Sequence, residues 1–334
     1  DKYMGIEAVP PTPDTMGDWE VYRYGTDSQA ICLEGTEFVA SLRRKDPKKV
    51  ILYLEGGGAC WDYESCYKFP MVMRKTASWP PSSEGFLDTT DPRNLFHDWS
   101  VVYASYCDGS VWSGDNDVVY SNDDGTDNRL THHHGLANLS AAVTLLKKNF
   151  ISPDKVLVCG SSAGGYGTLM GYMVTKLEYP TAPIYVINDS GPDVTNPENP
   201  KLLDRANKNW NFGQFMPKDI PCPKCDQQLL YTVRLFLRYD PLLRYGIFSY
   251  YNDAVIGTIF LQMDGDKYKD LIVGITNEIR AMSPEKFKRF FVNGGFHTIL
   301  NLPTYYTLNI RGTYFYQWVG DLVSDSPQWA DLLE

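Results

Sequence analysis

The stretch that most constrains the fold is Lys155–Gly165, KVLVCGSSAGG, because a strand pattern runs directly into a serine flanked by glycines. The segment over 168–176 that follows has a helical pattern. A G-x-S-x-G sequence between a strand and a helix is typical of a sharp turn that lifts a nucleophilic serine clear of a sheet. Ser162 is therefore the predicted nucleophile. Ser161 stands at a variable position of the pattern, and the alternative is a plain glycine-rich turn.

Strand patterns alternate with helical patterns along the rest of the chain. Continuous apolar runs bounded by charge or glycine predict buried strands at Lys49–Leu54, Trp99–Tyr106, Ile184–Ile187 and Tyr245–Tyr251. Helical patterns cover 136–148, 229–239 and, after a Ser283 cap, 284–290. Shorter antiparallel strands are expected over 19–24, 29–32 and 38–42, together with a short helix near Met71.

This alternation indicates an α/β fold in which helices cover both faces of one sheet. The sequence predicts an α/β-hydrolase-like architecture with a mostly parallel central sheet and an inserted lid-like segment. The segment over 192–228 is the predicted insertion or lid, because it is rich in Pro, Asn and Lys and carries scattered aromatic residues. No internal repeat or clean linker divides the sequence, so residues 1–334 are expected to form a single catalytic domain.

Composition narrows the partners that the chain can have. The formal net charge of -10 disfavours nucleic acid as a partner. No apolar run approaches the roughly 18 residues of a membrane-spanning helix, so no integral membrane segment is expected. The hydrophobic content of 43% is sufficient for a sizeable core. The protein is expected to be a monomer.

The seven cysteines leave at least one thiol free if the others pair. Cys159 is the natural unpaired residue, since it lies in the apolar strand before the predicted nucleophile. The other six could form three disulfides, which would indicate an oxidising compartment and a secreted or periplasmic protein. Zinc at Cys222 and Cys225 is disfavoured because the sequence offers no second ligand pair of matching spacing.

A serine nucleophile needs a base, and the sequence order selects one histidine. In α/β-hydrolases the order is Ser, then Asp or Glu, then His, and only His297 among the five histidines follows the nucleophile. The carboxylate that orients the imidazole of His297 should lie between Ser162 and His297 along the chain. Asp253 ends a predicted strand and is the best placed, Asp189 ends another and is the alternative, and Asp240 and Asp264 are less well positioned.

Acyl transfer also needs donors for the developing oxyanion. The backbone N–H of Ala163 is one candidate, and the loop LEGGG supplies Gly57 and Gly58 as the others, in the manner of HGGG-type loops. No metal or organic cofactor is expected. The acidic loop over 121–127 lacks the full calcium-ligand series, and His132–His134 is interpreted as a helix-start loop with one buried histidine.

Five blocks of sequence resemble the pectin acetylesterase and Notum family of carboxylesterases. They are LEGGGACWDYESC, FHDWSVVYASYCDGSVWSG, the HHHG stretch, GSSAGG and YYNDAV, which together span roughly residues 29–300. The resemblance implies an α/β-hydrolase-like fold with a catalytic triad of Ser162, Asp253 and His297. It also implies an oxyanion hole made by Gly57, Gly58 and Ala163, and disulfides Cys60–Cys66 and Cys32–Cys107.

The activity that the resemblance implies is hydrolysis of an O-acyl ester through an acyl-enzyme. We expect the substrate to be an O-acetyl group on a polysaccharide such as pectin. A lipid, fatty-acyl or polyester esterase that uses the aromatic insertion as a lid is the alternative. A third hypothesis is a catalytically inactive protein that binds glycan or lipid.

Overall fold

The computed structural model describes residues 2–9, 13–79, 81, 83–215, 221–225 and 227–334. The strands are β1 (Asp14–Met16), β2 (Trp19–Tyr24), β3 (Phe38–Arg43), β4 (Asp46–Leu54), β5 (Trp99–Ala104), β6 (Asn116–Ser121), β7 (Asn128–His133), β8 (Lys155–Ser161), β9 (Ile184–Asp189), β10 (Arg244–Tyr250), β11 (Phe287–Val292), β12 (Asn309–Ile310), β13 (Thr313–Tyr314) and β14 (Leu332–Leu333). The α-helices are α1 (Gly135–Asn149), α2 (Ala163–Glu178), α3 (Lys201–Trp210), α4 (Thr232–Tyr239), α5 (Gly265–Met282) and α6 (Phe315–Val323).

Within the described residues, ten strands form one sheet in the order β1-β2-β3-β5-β4-β8-β9-β10-β11-β14. The strand pairs β1–β2, β2–β3 and β3–β5 are antiparallel. All neighbouring strands from β5 to β14 in this order are parallel. Two hairpins, β6–β7 and β12–β13, lie outside this sheet. The observed fold is α/β-hydrolase-like with a mostly parallel sheet, which confirms the predicted class.

Alternation of side chains along the central strands divides the core into two layers. Val50 and Leu52 of β4 belong to one hydrophobic cluster, whereas Ile51 and Tyr53 belong to the other. The first cluster receives the apolar faces of α1, α2 and α5, and the second receives α6. Because both faces are covered, the strands consist almost wholly of apolar residues, and the sequence pattern that revealed them follows from this burial.

Most predicted elements are found where expected, but three are wrong. The segment over 29–32 forms only an isolated bridge between Ile31 and Glu37. The short helix near Met71 is instead a helical turn at Glu64–Lys68. Residues 284–290 are not a helix, because Ser283 ends α5, and the aromatic run FKRFFV pairs between β10 and β14 as β11. Aromatic side chains that are buried on both faces favour a strand over a helix here.

The insertion predicted over 192–228 contains α3 and a short helical turn at Phe212–Phe215. Residues 216–220 and 226 of this segment lie outside the described residues. The described part packs against the loop that follows β4: Trp210 Nε1 donates a hydrogen bond to the carbonyl of Cys60 at 2.8 Å. The side chains of Trp61, Ala206 and Phe212 complete this contact as a small apolar cluster. The described part of the segment over 192–228 therefore lies over the carboxyl ends of the central strands.

Candidate active site

Ser162 lies at the turn between β8 and α2, with φ 58° and ψ −120°. A positive φ is strained for a residue with a side chain, and it is the conformation expected of a nucleophile at such a turn. The turn closes only because its glycines allow the backbones to approach one another. A Cβ atom on Gly164 would lie 1.9 Å from the carbonyl oxygen of Leu54, and one on Gly56 would lie 2.3 Å from that of Ser161.

Asp253 and His297 are joined by a hydrogen bond of 2.8 Å between Oδ2 and Nδ1. The carboxylate is buried, and its other oxygen accepts the N–H groups of Val255 and Ile256 at 3.0 Å each. These two donors fix the carboxylate at the start of the helical turn that follows β10. The orientation of the imidazole is thereby set from the Asp253 side.

The other ring nitrogen of His297, Nε2, is buried and has no hydrogen-bond partner among the described residues. The structure therefore brings His297 to Asp253 but does not join it to Ser162 by a hydrogen bond. In proteins without substrate, such contacts are often long and tighten only when the substrate binds. The loop after β11, on which His297 lies, and the turn after β8 meet at the same edge of the sheet.

Asp189, the alternative carboxylate, holds the Ser162 turn and the histidine loop together. Its backbone carbonyl accepts the N–H of Ser162 at 2.8 Å. Its Oδ2 accepts the N–H groups of Ile299 and Leu300 at 3.0 Å each and the hydroxyl of Ser161 at 2.6 Å. Burial raises the pKa of this carboxyl. Because these donors occupy it, Asp189 is a positioning residue in this structure, and the imidazole contact belongs to Asp253.

In the glycine loop after β4, the carbonyl groups of Gly57 and Gly58 are both held by hydrogen bonds. Met73 N donates to the oxygen of Gly57, and the Tyr106 hydroxyl donates to that of Gly58, at 2.7 Å each. Since C=O and N–H point in opposite directions in a trans peptide, fixing the Gly57 carbonyl turns the Gly58 N–H away from Met73. Gly58 has φ +82°, and Gly58 and Ala163 line the same cavity as Ser162.

Glu55 supports this loop, a role that the sequence pattern did not assign. Its carboxylate is buried, accepts the backbone N–H of Tyr106 at 3.0 Å and lies 3.3 Å from the Arg74 guanidinium. Burial raises the pKa of Glu55, and the nearby Arg74 opposes the shift. The indole of Trp112 donates to the Glu55 carbonyl at 3.0 Å. The glutamate therefore stands where HGGG-type loops have histidine and organises the loop through hydrogen bonds.

A cavity of about 940 Å³, including its opening to solvent, lies beside Ser162. Its walls come from the loop after β4, from α2, from the insertion and from the helical turn that follows Asp253. They are predominantly apolar and include Trp61, Val111, Leu169, Met170, Val194, Ala206, Trp210, Phe212, Leu229, Ile256, Phe260 and Leu261. Only the scattered aromatic residues of the insertion gave a signal for these wall positions in the sequence.

Asp193 is an acidic group in this apolar wall. The residue is buried, has φ 50°, and its Oδ2 has no hydrogen-bond partner among the described residues. Burial raises the pKa of its carboxyl well above the usual range. The sequence analysis did not identify Asp193, Glu55 or most of the wall residues as part of the site.

Two of the disulfides are those that the resemblance implied, and a third pair was left open by the sequence. Disulfides join Cys32 to Cys107 and Cys60 to Cys66, and Cys222 is paired with Cys225. Cys159 is free and buried in β8. No helix in the described ranges is both long and apolar enough to cross a membrane.

The three adjacent histidines do not form a loop, as the sequence interpretation had it. His132 and His133 lie in β7, and α1 begins directly after His134. His133 is the one buried member, as expected; burial lowers its pKa to about 3, and its ring nitrogens contact the carbonyl of Asp108 and the hydroxyl of Tyr120. The acidic loop over 121–127 is the exposed turn of the β6–β7 hairpin.

Comparison with known proteins agrees with this architecture. The family model for pectinacetylesterase matches residues 14–219. Palmitoleoyl-protein carboxylesterase notum1 from Xenopus laevis is 29% identical over 184 residues, which cover 49% of this chain and 35% of that protein. Pectin acetylesterase 4 from Arabidopsis thaliana is 30% identical over 124 residues, covering 36% of this chain and 29% of that protein. The chain thus spans about a third of the length of the curated relatives it matches.

A solved structure extends the likeness to nearly the whole fold. The Wnt deacylase Notum from Drosophila superposes with a TM-score of 0.64 over 91% of this chain and 93% of that chain, at 18% identity. The fold defines an α/β-hydrolase-like protein with a serine at the strand–helix turn. The family match covers more than half of the sequence, and the chain belongs to the pectinacetylesterase family.

Proposed function

We propose that this protein is a serine carboxylesterase that acts through Ser162, His297 and Asp253. The observation that carries the proposal is the hydrogen bond between Asp253 and His297, with a serine in the strained nucleophile conformation at the same edge of the sheet. A hydroxyl is a poor nucleophile at neutral pH, and a base held in one orientation by a carboxylate activates it. Membership of the pectinacetylesterase family supports the same reaction type.

The reaction follows from this geometry. The Ser162 hydroxyl attacks the ester carbonyl while His297 Nε2 accepts its proton, and Asp253 stabilises the imidazolium that forms. His297 then gives the proton to the leaving alcohol, which departs and leaves an acyl group on the serine oxygen. Water then attacks this acyl-enzyme while His297 takes one of its protons, and His297 returns that proton to the Ser162 oxygen as the carboxylic acid is released. No metal or organic cofactor takes part in these steps.

We assign the oxyanion hole to the backbone N–H groups of Gly57, Gly58 and Ala163. Gly58 and Ala163 have the stronger support, because both line the cavity that contains Ser162. Gly57 packs instead against Arg74 and Tyr106. Each donor of such a hole is typically worth a factor of about 10²–10³ in kcat.

The lining of the cavity supports one of the two substrate classes that the sequence left open. An acetyl group would contact only a small part of the largely apolar walls, whereas a longer acyl chain would bury its methylenes against them. Each buried methylene contributes about 0.8 kcal/mol, or roughly fourfold in kcat/KM. We therefore place a fatty-acyl ester ahead of an O-acetyl polysaccharide such as acetylated pectin. The disulfides support a secreted or periplasmic location, and a single catalytic domain that acts as a monomer stays a prediction.

The rate profile over p-nitrophenyl esters from acetate to palmitate tests this choice. We expect kcat/KM to rise with chain length, and Ala206→Phe, which fills part of the cavity, to shift the optimum to shorter esters. Ala281→Phe on the exposed face of α5 is the matched control and should leave the profile unchanged. A maximum at acetate, with acetylated pectin as the better substrate, would instead favour the polysaccharide. Loss of all hydrolysis in Ser162→Ala tests the reaction itself.

A further inference from the structure

Asp117, His132 and His134 bring three potential metal ligands together on the β6–β7 hairpin. Asp117 lies directly opposite His132 in the antiparallel register, and His134 follows two residues later on the same side. His132 Nδ1 is 2.6 Å and His134 Nε2 is 2.9 Å from Asp117 Oδ1. The three ligand atoms lie within 4.8 Å of one another. Alternation along the strand turns the intervening His133 to the opposite side.

The hydrogen bonds of His134 point to a cation at this position. Its Nδ1 is 2.8 Å from the carbonyl oxygen of Gln29, and because a carbonyl only accepts, Nδ1 must carry the hydrogen. In a neutral imidazole, Nε2 then presents a lone pair. This lone pair faces the Asp117 carboxylate at 2.9 Å, and two acceptors at that distance repel. A positive charge shared between them, either a proton or a metal ion, removes the conflict.

We propose that Asp117, His132 and His134 bind a divalent transition-metal ion, with zinc as the favoured ion. Two imidazole nitrogens and one carboxylate oxygen are a donor set that suits zinc, whose bonds to such ligands are about 2.0–2.2 Å long. Neighbouring ligand atoms of a tetrahedral site then lie about 3.3 Å apart, so modest side-chain rotations open the cluster to the ion. The Gln29 carbonyl supplies the outer hydrogen bond that usually orients a histidine ligand.

The surroundings favour a site of three protein ligands with one position left for water, which would stabilise the hairpin away from the cavity beside Ser162. The Asp117 side chain is 55% exposed, whereas those of His132 and His134 are 17% and 13% exposed, so the fourth position faces solvent. None of the three lines the cavity beside Ser162. On the other side of the hairpin, His133 packs against Trp210 of the cavity wall. A bound ion would join both hairpin strands and hold the platform on which that wall rests.

Isothermal titration of the protein with zinc chloride tests the proposal. The protein carries no affinity tag and is first dialysed against a chelator. We expect one ion per chain and an increase in Tm with zinc. His134→Ala, His132→Ala and Asp117→Asn should each weaken binding at least about tenfold, the loss that removal of even an outer-shell partner causes. His97→Ala, which removes an exposed histidine outside the cluster, is the matched control and should bind as the wild type does.

X-ray absorption of the zinc-loaded protein should show nitrogen and oxygen neighbours at about 2.0 Å. Circular dichroism identifies any variant that fails to fold. If an alanine variant fails to fold, the near-isosteric Asp117→Asn still tests the site. Zinc binding that survives in folded Asp117→Asn and in both histidine variants would overturn the assignment. Failure of the wild type to bind zinc, cobalt or nickel would also overturn it.

Discussion

Replacement of Asp253 by asparagine should disable the base through the tautomer of His297. Asp253 Oδ1 accepts two backbone N–H groups at 3.0 Å each, so the amide oxygen of the variant will keep that place. The amide NH₂ group then faces His297 Nδ1, where the carboxylate oxygen was at 2.8 Å. A donor at that position requires Nδ1 to accept and moves the hydrogen to Nε2. The imidazole can then no longer take the serine proton.

The size of the effect follows from these contacts. Turning the amide to restore the productive tautomer would give up two backbone hydrogen bonds, which together contribute about 2 kcal/mol. This is roughly a thirtyfold loss of the competent form. The variant also loses the charge-assisted bond to the imidazolium, about 1.5–3 kcal/mol, or a further factor of about 10–150. The product predicts that kcat falls by about 10³, somewhat less than the factor of about 10⁴ known for such a change in a serine triad.

The assay is kcat for a p-nitrophenyl ester, with Tm as the measure of folding. Asp189→Asn is the matched control, because its amide oxygen can keep the N–H groups of Ile299 and Leu300. We expect that variant to stay within about tenfold of the wild-type kcat. If Asp253→Asn keeps kcat within tenfold while Asp189→Asn loses it, the assignment of the carboxylate is refuted.

Two further predictions concern stability. The Cys32–Cys107 disulfide closes a separation of 75 residues and the Cys60–Cys66 disulfide only 6, so chain entropy predicts losses of about 4 and about 2 kcal/mol when each pair is replaced by alanine. Urea unfolding of the two double variants measures this, and equal losses would contradict the entropic reasoning. Burial raises the pKa of Asp108 to about 6, so the stability it contributes is complete below its unfolded pKa and is lost as pH rises through about 6. The free energy of unfolding, relative to Asp108→Asn, should fall by up to about 3 kcal/mol between pH 4 and 7, and a difference that does not vary with pH would contradict the burial argument.

The catalytic candidates were accessible from sequence because each follows a strand of one parallel sheet. Strand ends meet at one edge whatever the loops do, so Ser162, Asp253 and the glycine loop could be placed together from the strand pattern alone. His297 was selected by order along the chain. Its contact with Asp253 depends on the loop after β11, which the sequence pattern had assigned to follow a helix.

The features that the sequence did not reveal depend on contacts between distant segments of the chain. The cavity wall brings Trp61, Ala206 and Phe260 together from three parts of the chain, and no local periodicity marks them. The strand β11 was misread because an aromatic run that is buried on both faces has no alternation to separate it from a buried helix. The cluster around Asp117 depends on the register of β6 with β7. The sequence shows three adjacent histidines, and only the strand geometry shows that His132 and His134 lie on the same side as Asp117 while His133 does not.

The most direct test of the central claim is covalent labelling by a fluorophosphonate. The account predicts one adduct per chain, mapped by peptide mass to Ser162, prevented by His297→Ala and slowed by an excess of a long-chain acyl ester present during labelling. Ser161→Ala is the matched control and should still be labelled, since the Ser161 hydroxyl is hydrogen bonded inward to Asp189 at 2.6 Å. An adduct on another residue, or a folded protein that the probe does not label, would contradict the account.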